Sequence, residues 1–273
     1  MSACHLGSTG ASLSDEQHTI LRLQRIGMRY GEADECLRDI DLTIKAGSFQ
    51  FLTGPSGAGK TSLLRLISLS HPPSRGQITL FGRDIGRTDK TEVAALRRRI
   101  GVIFQDFRLL EHLSAFDNVA LPLRIGGVED EKITSFVSEM MAWLDLSDLI
   151  EAKPAKLSMG QRQLISVARA VVTRPRLLLA DEPTSNIDEA REQRLMHLFE
   201  QLHKLGTSII FATHNRALLS SAEHPVLRMT GGQLTVASEP ASATSRVTPG
   251  PGLRPMRRVK PKVVKKSDVS GDG

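Results

Sequence analysis

The stretch Gly54-Pro55-Ser56-Gly57-Ala58-Gly59-Lys60-Thr61 matches the spacing GxxxxGK[ST]. It follows a strand-like run at 48–53 and precedes a helical pattern at 60–70, which is the context that a phosphate-binding loop requires. Glycines let backbone N–H groups approach phosphate oxygens closely, and the helix directs the positive end of its dipole toward them. The sequence therefore predicts a nucleotide-binding loop, in which Lys60 reaches the β- and γ-phosphates and Thr61 holds Mg²⁺.

A second motif supplies two carboxylates much further along the chain. Leu177-Leu178-Leu179-Ala180-Asp181-Glu182 is an apolar run that ends in two acids. Such a run is typical of a strand that is buried on both faces of a sheet. Beside a phosphate-binding loop, Asp181 is expected to bind Mg²⁺ and Glu182 to polarise the attacking water. The two motifs together predict Mg²⁺-dependent hydrolysis of a nucleotide.

Strand and helix patterns alternate along most of the chain. Helical spacing of apolar residues occurs at 60–70, 131–145, 161–173 and 189–205. Strand patterns occur at 20–26, 40–44, 48–53, 77–81, 101–104, 177–180, 208–213, 226–229 and 233–236. The alternation predicts an α/β fold with a mostly parallel central sheet. With the phosphate-binding loop at 54–61, the expected fold class is a P-loop NTPase core. The early strands alternate apolar and polar residues, so they are expected to form a separate antiparallel layer.

Composition agrees with a globular protein of one large domain. The chain has 273 residues, of which 40% are hydrophobic and 24% charged. No apolar run has the ~18 residues of a membrane-spanning helix, and the first residues lack the apolar stretch of a secretory signal. The two cysteines, Cys4 and Cys36, form no CxxC pair, which argues against a disulfide framework and predicts a reducing, cytoplasmic setting.

The basic charge is concentrated in the C-terminal segment. Residues 238–273 hold eight Lys or Arg and three acids, whereas the whole chain has a formal net charge of +6. This segment is also rich in proline, so we expect a disordered leader at 1–18, a folded domain at 19–237 and a disordered basic tail at 238–273. The tail could bind an anionic membrane surface, or it could be an inert, solvated extension. Non-specific nucleic-acid binding is the least expected of the three interpretations.

Between the two motifs the sequence resembles the ABC-type ATPases. Leu157-Ser158-Met159-Gly160-Gln161 resembles the LSGGQ signature of that family. The resemblance extends to the aromatic residue that stacks on adenine, the Q-loop, the D-loop and the switch histidine, at Tyr30, Gln105, Ser185-Asn186-Ile187-Asp188 and His214. Each of these features is weak alone, but together they follow the order of the family over residues 20–236.

The resemblance implies a role for each motif. Two cassettes would pair head to tail, with each ATP between the phosphate-binding loop of one chain and the signature segment of the other. The residues implied to bind ATP are Tyr30, Gly54, Pro55, Ser56, Gly57, Ala58, Gly59, Lys60, Thr61, Ser62 and Gln105. Those implied to face the opposite ATP are Ser158, Met159, Gly160 and Gln161.

Further roles follow from the same resemblance. Glu182 and His214 would be catalytic, Asp188 would organise the dimer seam, and the metal would be held by Thr61, Gln105 and Asp181. Gln105 would also sense the metal and the nucleotide and transmit their presence to a helical subdomain at about 106–165. Met159 replaces the first glycine of the usual signature, and we expect this change to affect the hydrolysis rate more than nucleotide binding.

A subgroup is indicated by the stretch GVIFQDFRLL at 101–110 and its continuation to 125. It is similar to the cell-division ATPases of the FtsE type, which pair with a membrane protein of the FtsX type. This resemblance implies a peripheral subunit on the cytoplasmic face of the inner membrane, whose docking surface is the helical region at about 106–123. Three alternatives stay open: the ATPase of an exporter or lipoprotein-release transporter, a soluble regulator of ribosomes or DNA, and a non-hydrolysing ATP-gated scaffold.

Overall fold

The structure of the chain is a computed structural model that describes residues 18–220 and 223–238. The predicted leader and basic tail therefore lie outside the described residues, apart from residues 18 and 238. The described part forms two sheets and seven α-helices, and the predicted α/β fold is confirmed.

The larger sheet has six strands and is mostly parallel. Its strands are β3 (Phe49–Thr53), β6 (Ile100–Ile103), β7 (Leu177–Asp181), β8 (Ser208–Ala212), β9 (Val226–Thr230) and β10 (Gln233–Ser238). They lie in the order β10-β9-β3-β8-β7-β6, and β10 alone runs antiparallel to its neighbour. The turn at Gly231 and Gly232, both with positive φ, joins β9 to β10 as the sequence predicts.

The smaller sheet is antiparallel, as the alternating early strands predict. It contains β1 (Thr19–Met28), β2 (Leu37–Lys45), β4 (Arg75–Leu80) and β5 (Arg83–Asp84), in the order β2-β1-β4-β5. The apolar side chains of β2 at Leu37, Ile40, Leu42 and Ile44 are buried, and the polar residues between them are exposed. The strand β5, which has only two residues, was missed by the sequence analysis.

The helices are α1 (Lys60–Ile67), α2 (Lys90–Arg97), α3 (Ala115–Ile125), α4 (Asp130–Trp143), α5 (Met159–Val171), α6 (Glu189–Lys204) and α7 (Arg216–Ser220). Three short 3₁₀ turns lie at Ile85–Arg87, Ser147–Leu149 and Pro154–Lys156. None of the helices within the described ranges has both the length and the apolar composition that crossing a membrane requires.

The central strands separate two apolar clusters. Along β7, Leu178 and Ala180 face the cluster formed with α3–α6, whereas Leu177 and Leu179 face the cluster between the two sheets. All five residues of β7 are buried, which explains why the strand is a continuous apolar run. The larger sheet is thus covered on both faces.

The region after Gln105 differs from the prediction. We expected a helical region at about 106–123, but the chain takes no helical turn until α3 begins at Ala115. Phe107 and Arg108 both have positive φ (56° and 49°), which a right-handed helix does not allow. Ser114 then caps α3 by accepting a hydrogen bond from the Asp117 backbone N–H. The segment 106–114 is therefore an irregular loop.

Candidate nucleotide-binding site

The predicted site residues converge at one edge of the larger sheet. The strands β3, β6, β7 and β8 are parallel neighbours, and the phosphate-binding loop, Gln105, Asp181-Glu182 and His214 follow their respective carboxyl ends. In open α/β folds ligands bind at this edge, because the loops that leave it face one crevice. Motifs that are far apart in sequence are thereby brought together.

The loop at 54–61 has the backbone that its glycines predict. Gly54 has φ 154°, and a Cβ atom there would lie 2.3 Å from the carbonyl oxygen of Met229. Gly59 has φ 104° and precedes α1 without a side-chain capping hydrogen bond. The first N–H groups of α1 therefore point into the loop, where they are suited to bind an anion.

The Lys60 side chain folds back over this loop. Its Nζ donates hydrogen bonds to the carbonyl oxygens of Gly54 (2.8 Å) and Pro55 (3.2 Å). The ammonium group therefore lies at the mouth of the loop, next to the place where phosphates would bind. A point charge with three donors is well suited to contact phosphate oxygens there.

The three residues predicted to hold metal line one cavity. The Thr61 hydroxyl donates to Oδ2 of Asp181 (2.7 Å), and Gln105 lines the same cavity of about 190 Å³. Burial raises the pKa of Asp181, the Thr61 hydrogen bond opposes this effect, and the nearby charge of Glu182 adds to it. A hydroxyl, a carboxylate and an amide form an oxygen donor set that fits Mg²⁺.

The two predicted catalytic residues form a hydrogen-bonded pair. Nδ1 of His214 lies 2.8 Å from Oε1 of Glu182. The Glu182 side chain is nearly buried, whereas that of His214 is 74% exposed. Glu182 has φ 50°, and its backbone N–H donates to the Ala212 carbonyl oxygen (3.0 Å). The strained turn after β7 thus aims the carboxylate toward the crevice rather than into the sheet.

Tyr30 lies beside the phosphate-binding loop. Its hydroxyl donates to Oγ of Ser62 in α1 (3.3 Å), and its ring makes an edge contact with His71 at 4.8 Å between centroids. The side chain is 38% exposed. A fixed, partly exposed aromatic ring at this position is available for stacking on a base.

The signature segment forms the N-terminal end of α5. Oγ of Ser158 accepts from the Gln161 backbone N–H (3.2 Å), and Oε1 of Gln161 accepts from the Ser158 backbone N–H (2.8 Å). These two bonds form a capping box, so the Gln161 side chain is occupied within its own chain. Met159 is 61% exposed and contributes an open apolar surface at this end of the helix.

The D-loop lies directly against the signature segment. A Cβ atom at Gly160 would lie 2.8 Å from the carbonyl oxygen of Asn186. Asp188, two residues later, caps α6 by accepting from the Arg191 backbone N–H (3.0 Å), which lowers the pKa of its carboxyl. Gly160 therefore permits a close approach within one chain, a role that the sequence analysis did not identify.

Two further residues organise the Q-loop and were missed. Arg169 of α5 donates to the carbonyl oxygens of Phe107 (2.7 Å) and Arg108 (2.6 Å). The fully buried Asn118 donates to the carbonyl oxygens of Leu110 and Ser114, and its Oδ1 accepts from the Leu110 N–H. Single polar residues within amphipathic helices give no sequence signal, because their partners are set by the tertiary fold.

Arg108 and Arg65 add positive charge to the same cavity. The Arg108 guanidinium lies 3.9 Å from the Phe104 ring centroid and forms an ion pair with Asp106 (3.1 Å). Arg65, from α1, lines the cavity together with Thr61 and Asp181. Neither arginine was predicted, although Arg108 lies within the stretch that indicates the subgroup.

Comparison with known proteins agrees with this geometry. The sequence model of the family described as "ABC transporter" matches residues 37–185. The cell division ATP-binding protein FtsE of Escherichia coli (strain K12) is 39% identical over 215 residues, which cover 79% of this chain and 97% of that protein. The methionine import ATP-binding protein MetN of Vibrio vulnificus (strain YJ016) is 40% identical over 199 residues, 72% of this chain and 58% of that protein.

Solved structures show the same fold. The ATP-binding cassette MJ0796, in a dimeric post-hydrolysis state bound to ADP and Pi, has a TM-score of 0.75 and 28% sequence identity, and the alignment covers 82% of this chain and 100% of that one. The family model matches more than half of the chain, and FtsE aligns over 97% of its own length, in agreement with the motifs assembled at the sheet edge. The chain belongs to the ABC transporter family and is one of its ATP-hydrolysing cassettes.

Proposed function

We propose that the chain is the Mg²⁺-dependent ATPase subunit of an FtsE-type membrane complex that acts in cell division. The observation that carries this proposal is the 39% identity to FtsE across 97% of that protein's length. MetN is equally similar, but the chain spans only 58% of it. The second candidate is therefore the ATPase subunit of a transporter, including the exporter and lipoprotein-release types.

The proposed chemistry is supported by the geometry of the crevice. The phosphate-binding loop and Lys60 would bind the phosphates, and Tyr30 would stack on adenine. Thr61, Asp181 and Gln105 would hold Mg²⁺, which supplies positive charge that stabilises the phosphates. Glu182 would accept a proton from the attacking water, and the hydrogen bond from His214 would orient the Glu182 carboxylate toward it.

The proposed assembly is a head-to-tail dimer of cassettes. Ser158, Met159 and Gly160 lie at a helix N-terminus, which would face the ATP bound by the partner. Asp188, whose side chain is largely exposed, would lie at the seam. The likeness to the dimeric structures of MJ0796 supports this arrangement.

The proposed partner is an integral membrane protein of the FtsX type, which would hold the chain at the cytoplasmic face of the inner membrane. Support comes from the likeness to FtsE and from the loop at 106–114, where Leu110 is exposed beside the Q-loop. The basic tail would add affinity for anionic lipid. Deleting the residues after Val236 is expected to reduce salt-sensitive binding to anionic vesicles.

The test is to purify the tagged full chain from solubilised membranes of its source cells and to identify the bound membrane protein by mass spectrometry. We expect an FtsX-type protein, and depletion of the chain is expected to give filamentous cells. Recovery of a transporter permease, with normal division after depletion, would support the second candidate instead. A Lys60→Ala variant controls for capture that does not depend on nucleotide.

A further inference from the structure

A cluster of three metal-binding residue types lies at the end of the larger sheet opposite the nucleotide site. Glu200 and His203 belong to the last turns of α6, and His224 precedes β9. One carboxylate oxygen and one nitrogen of each imidazole lie within 4.8 Å of one another. All three side chains are partly buried, which distinguishes them from solvated surface charges.

The spacing of the first two residues places them on one helix face. Glu200 and His203 are three positions apart, and Glu-x-x-His is a spacing from which helices present two ligands to one metal. Oε2 of Glu200 lies 3.9 Å from Nδ1 of His203. The other carboxylate oxygen, Oε1, lies 2.7 Å from Nε2 of His224.

The tautomer of His203 is set by a backbone carbonyl. Nε2 of His203 lies 3.0 Å from the carbonyl oxygen of Gly47, which can only accept a hydrogen bond, so Nε2 carries the proton. In the neutral ring, Nδ1 then presents its lone pair toward Glu200. Metal-binding histidines generally donate their second nitrogen to a carbonyl or carboxylate in this manner, which fixes the orientation of the ring.

Phe49 positions both imidazole rings. The His224 ring stacks on Phe49 with 4.3 Å between centroids and 6° between planes, and the His203 ring meets Phe49 edge-on at 5.8 Å. The two imidazoles are nearly perpendicular to each other, with 5.2 Å between their centroids. The stacking and edge contacts with Phe49 thus fix the direction in which each ring presents its nitrogens to Glu200.

We propose that Glu200, His203 and His224 bind one divalent cation of the Zn²⁺ class, with water as the fourth ligand. Tetrahedral zinc with bonds of about 2.0–2.1 Å needs ligand atoms about 3.3 Å apart. Nε2 of His224 lies 2.7 Å from Oε1 of Glu200, and Nδ1 of His203 lies 3.9 Å from Oε2, so the distances lie on either side of that value. Small rotations of the side chains are therefore sufficient to form the site, and imidazole with carboxylate is a ligand set that suits zinc. A bound cation would take the place of the proton between Nε2 of His224 and Oε1, which would be released to solvent.

A cation there would connect parts of the chain that are distant in sequence. It would tie the C-terminal end of α6 to the segment that enters β9, and His203 already links α6 to the turn before β3 at Gly47. Binding to the folded chain alone raises stability in proportion to the logarithm of metal concentration over Kd. The proposal does not depend on the nucleotide site or on the cell-division role.

The test uses the full chain, stripped with a chelator and kept free of nucleotide and Mg²⁺. Co²⁺ is titrated as a spectroscopic substitute for Zn²⁺, and thermal unfolding is measured with and without Zn²⁺. We expect tetrahedral d–d absorption bands at one Co²⁺ per chain, with no thiolate charge-transfer band, and a Zn²⁺-dependent rise in Tm. His203→Ala and His224→Ala are expected to weaken binding by at least about 100-fold, more than the usual effect of losing an outer-shell partner.

The matched control is His197→Ala, which removes an exposed histidine of the same helix and should leave both signals unchanged. If a variant unfolds, Glu200→Gln serves instead, because it keeps the shape of the side chain and one acceptor oxygen while it removes the negative charge. Circular dichroism and ATP binding confirm that each variant is folded. Absence of the d–d bands, or equal metal-induced Tm shifts in wild type and His224→Ala, would overturn the proposal and leave a hydrogen-bonded Glu–His cluster.

Discussion

Gly160 of the signature segment and Asn186 of the D-loop are in backbone contact within a single chain. A Cβ atom added at Gly160 would lie only 2.8 Å from the Asn186 carbonyl oxygen, so no side chain fits between the two segments. The segment expected to face the partner's ATP and the loop expected to line the dimer seam therefore share one surface. A change at either position is expected to displace the other.

The first prediction concerns Gly160→Ala. The added methyl group must push the D-loop away from α5, and overpacking of this kind typically costs about 1–3 kcal/mol. We expect a lower Tm and a lower kcat for ATP, with unchanged ATP affinity of the monomer. Met159→Ala is the control, because Met159 is 61% exposed and its truncation should leave the Tm unchanged. Identical Tm and kcat in wild type and Gly160→Ala would contradict the predicted clash.

The second prediction concerns Glu182→Gln. The amide cannot accept the proton of the attacking water, and loss of a general base typically slows catalysis by about 10²–10⁴-fold. Because the side chain keeps its shape, ATP binding should persist and the ATP-bound dimer should accumulate. Phosphate release and light scattering measure the two effects.

Lys60→Ala provides the contrast for Glu182→Gln. It removes the ammonium group from the phosphate-binding loop, so it should lose nucleotide affinity and form no ATP-dependent dimer. A Glu182→Gln variant that hydrolyses ATP at the wild-type rate would show that another group acts as the base.

The third prediction concerns the pH dependence of Asp181. Burial raises the pKa of this carboxyl above its ordinary value of 3.8, so the folded chain binds the proton more tightly than the unfolded chain. The stability that protonated Asp181 contributes is therefore lost as the pH rises from the pKa of the unfolded chain through the higher pKa of the folded chain. Asp181→Asn should raise the Tm of the nucleotide-free chain at neutral pH, by less in mildly acidic buffer, while abolishing ATP hydrolysis.

Asp188→Asn is the control of opposite sign for this pH experiment. The Arg191 backbone N–H lowers the pKa of Asp188, so ionised Asp188 favours the folded state. Its replacement should give no gain in Tm at neutral pH. A fall in Tm for Asp181→Asn at neutral pH would mean that the charge of Asp181 stabilises the fold.

The fourth prediction concerns Leu110→Glu. Asn118 holds the backbone N–H and carbonyl oxygen of Leu110, whereas the Leu110 side chain is 37% exposed. A charge there should weaken capture of the membrane partner at least about tenfold, with ATP binding unchanged. Leu205→Glu, at an exposed leucine after α6, is the matched control. Equal loss of partner binding and ATP binding would indicate misfolding and contradict the docking surface.

Local patterns predicted most of the fold. The apolar runs at 177–180 and 208–213 are strands buried on both faces, and the two glycines at 231–232 form the hairpin turn. The helix α2 was missed because it is short and buries only Leu96, so its apolar spacing is weak, and Asp89 caps its first turn by accepting from the Glu92 backbone N–H. The loop at 106–114 was expected to be helical from the resemblance to the family's helical subdomain, but Phe107 and Arg108 adopt positive φ.

The site was predicted where its motifs are contiguous in sequence. Gly54–Thr61 and Asp181-Glu182 lie at one sheet edge, as parallel strands require. Arg169 contacts the backbone of Phe107 and Arg108, which lie about 60 positions earlier in the chain. These contacts could not be read from the sequence, because only the packing of α5 against β6 creates them. The same holds for the Gly160–Asn186 contact and for the distribution of hydrogen bonds around Asn118.

The two hydrogen bonds from Arg169 couple the position of the Q-loop to the position of α5. They fasten α5, whose first turn carries the signature residues, to the loop that follows Gln105. In the proposed dimer, Gln105 would read the nucleotide of its own chain, while Ser158 and Gly160 would read that of the other. A shift of the Q-loop on loss of the γ-phosphate would then move α5 and, with it, the signature residues at its N-terminal end. Each chain would thus report the hydrolysis of its own ATP to the neighbouring site through one partly buried guanidinium.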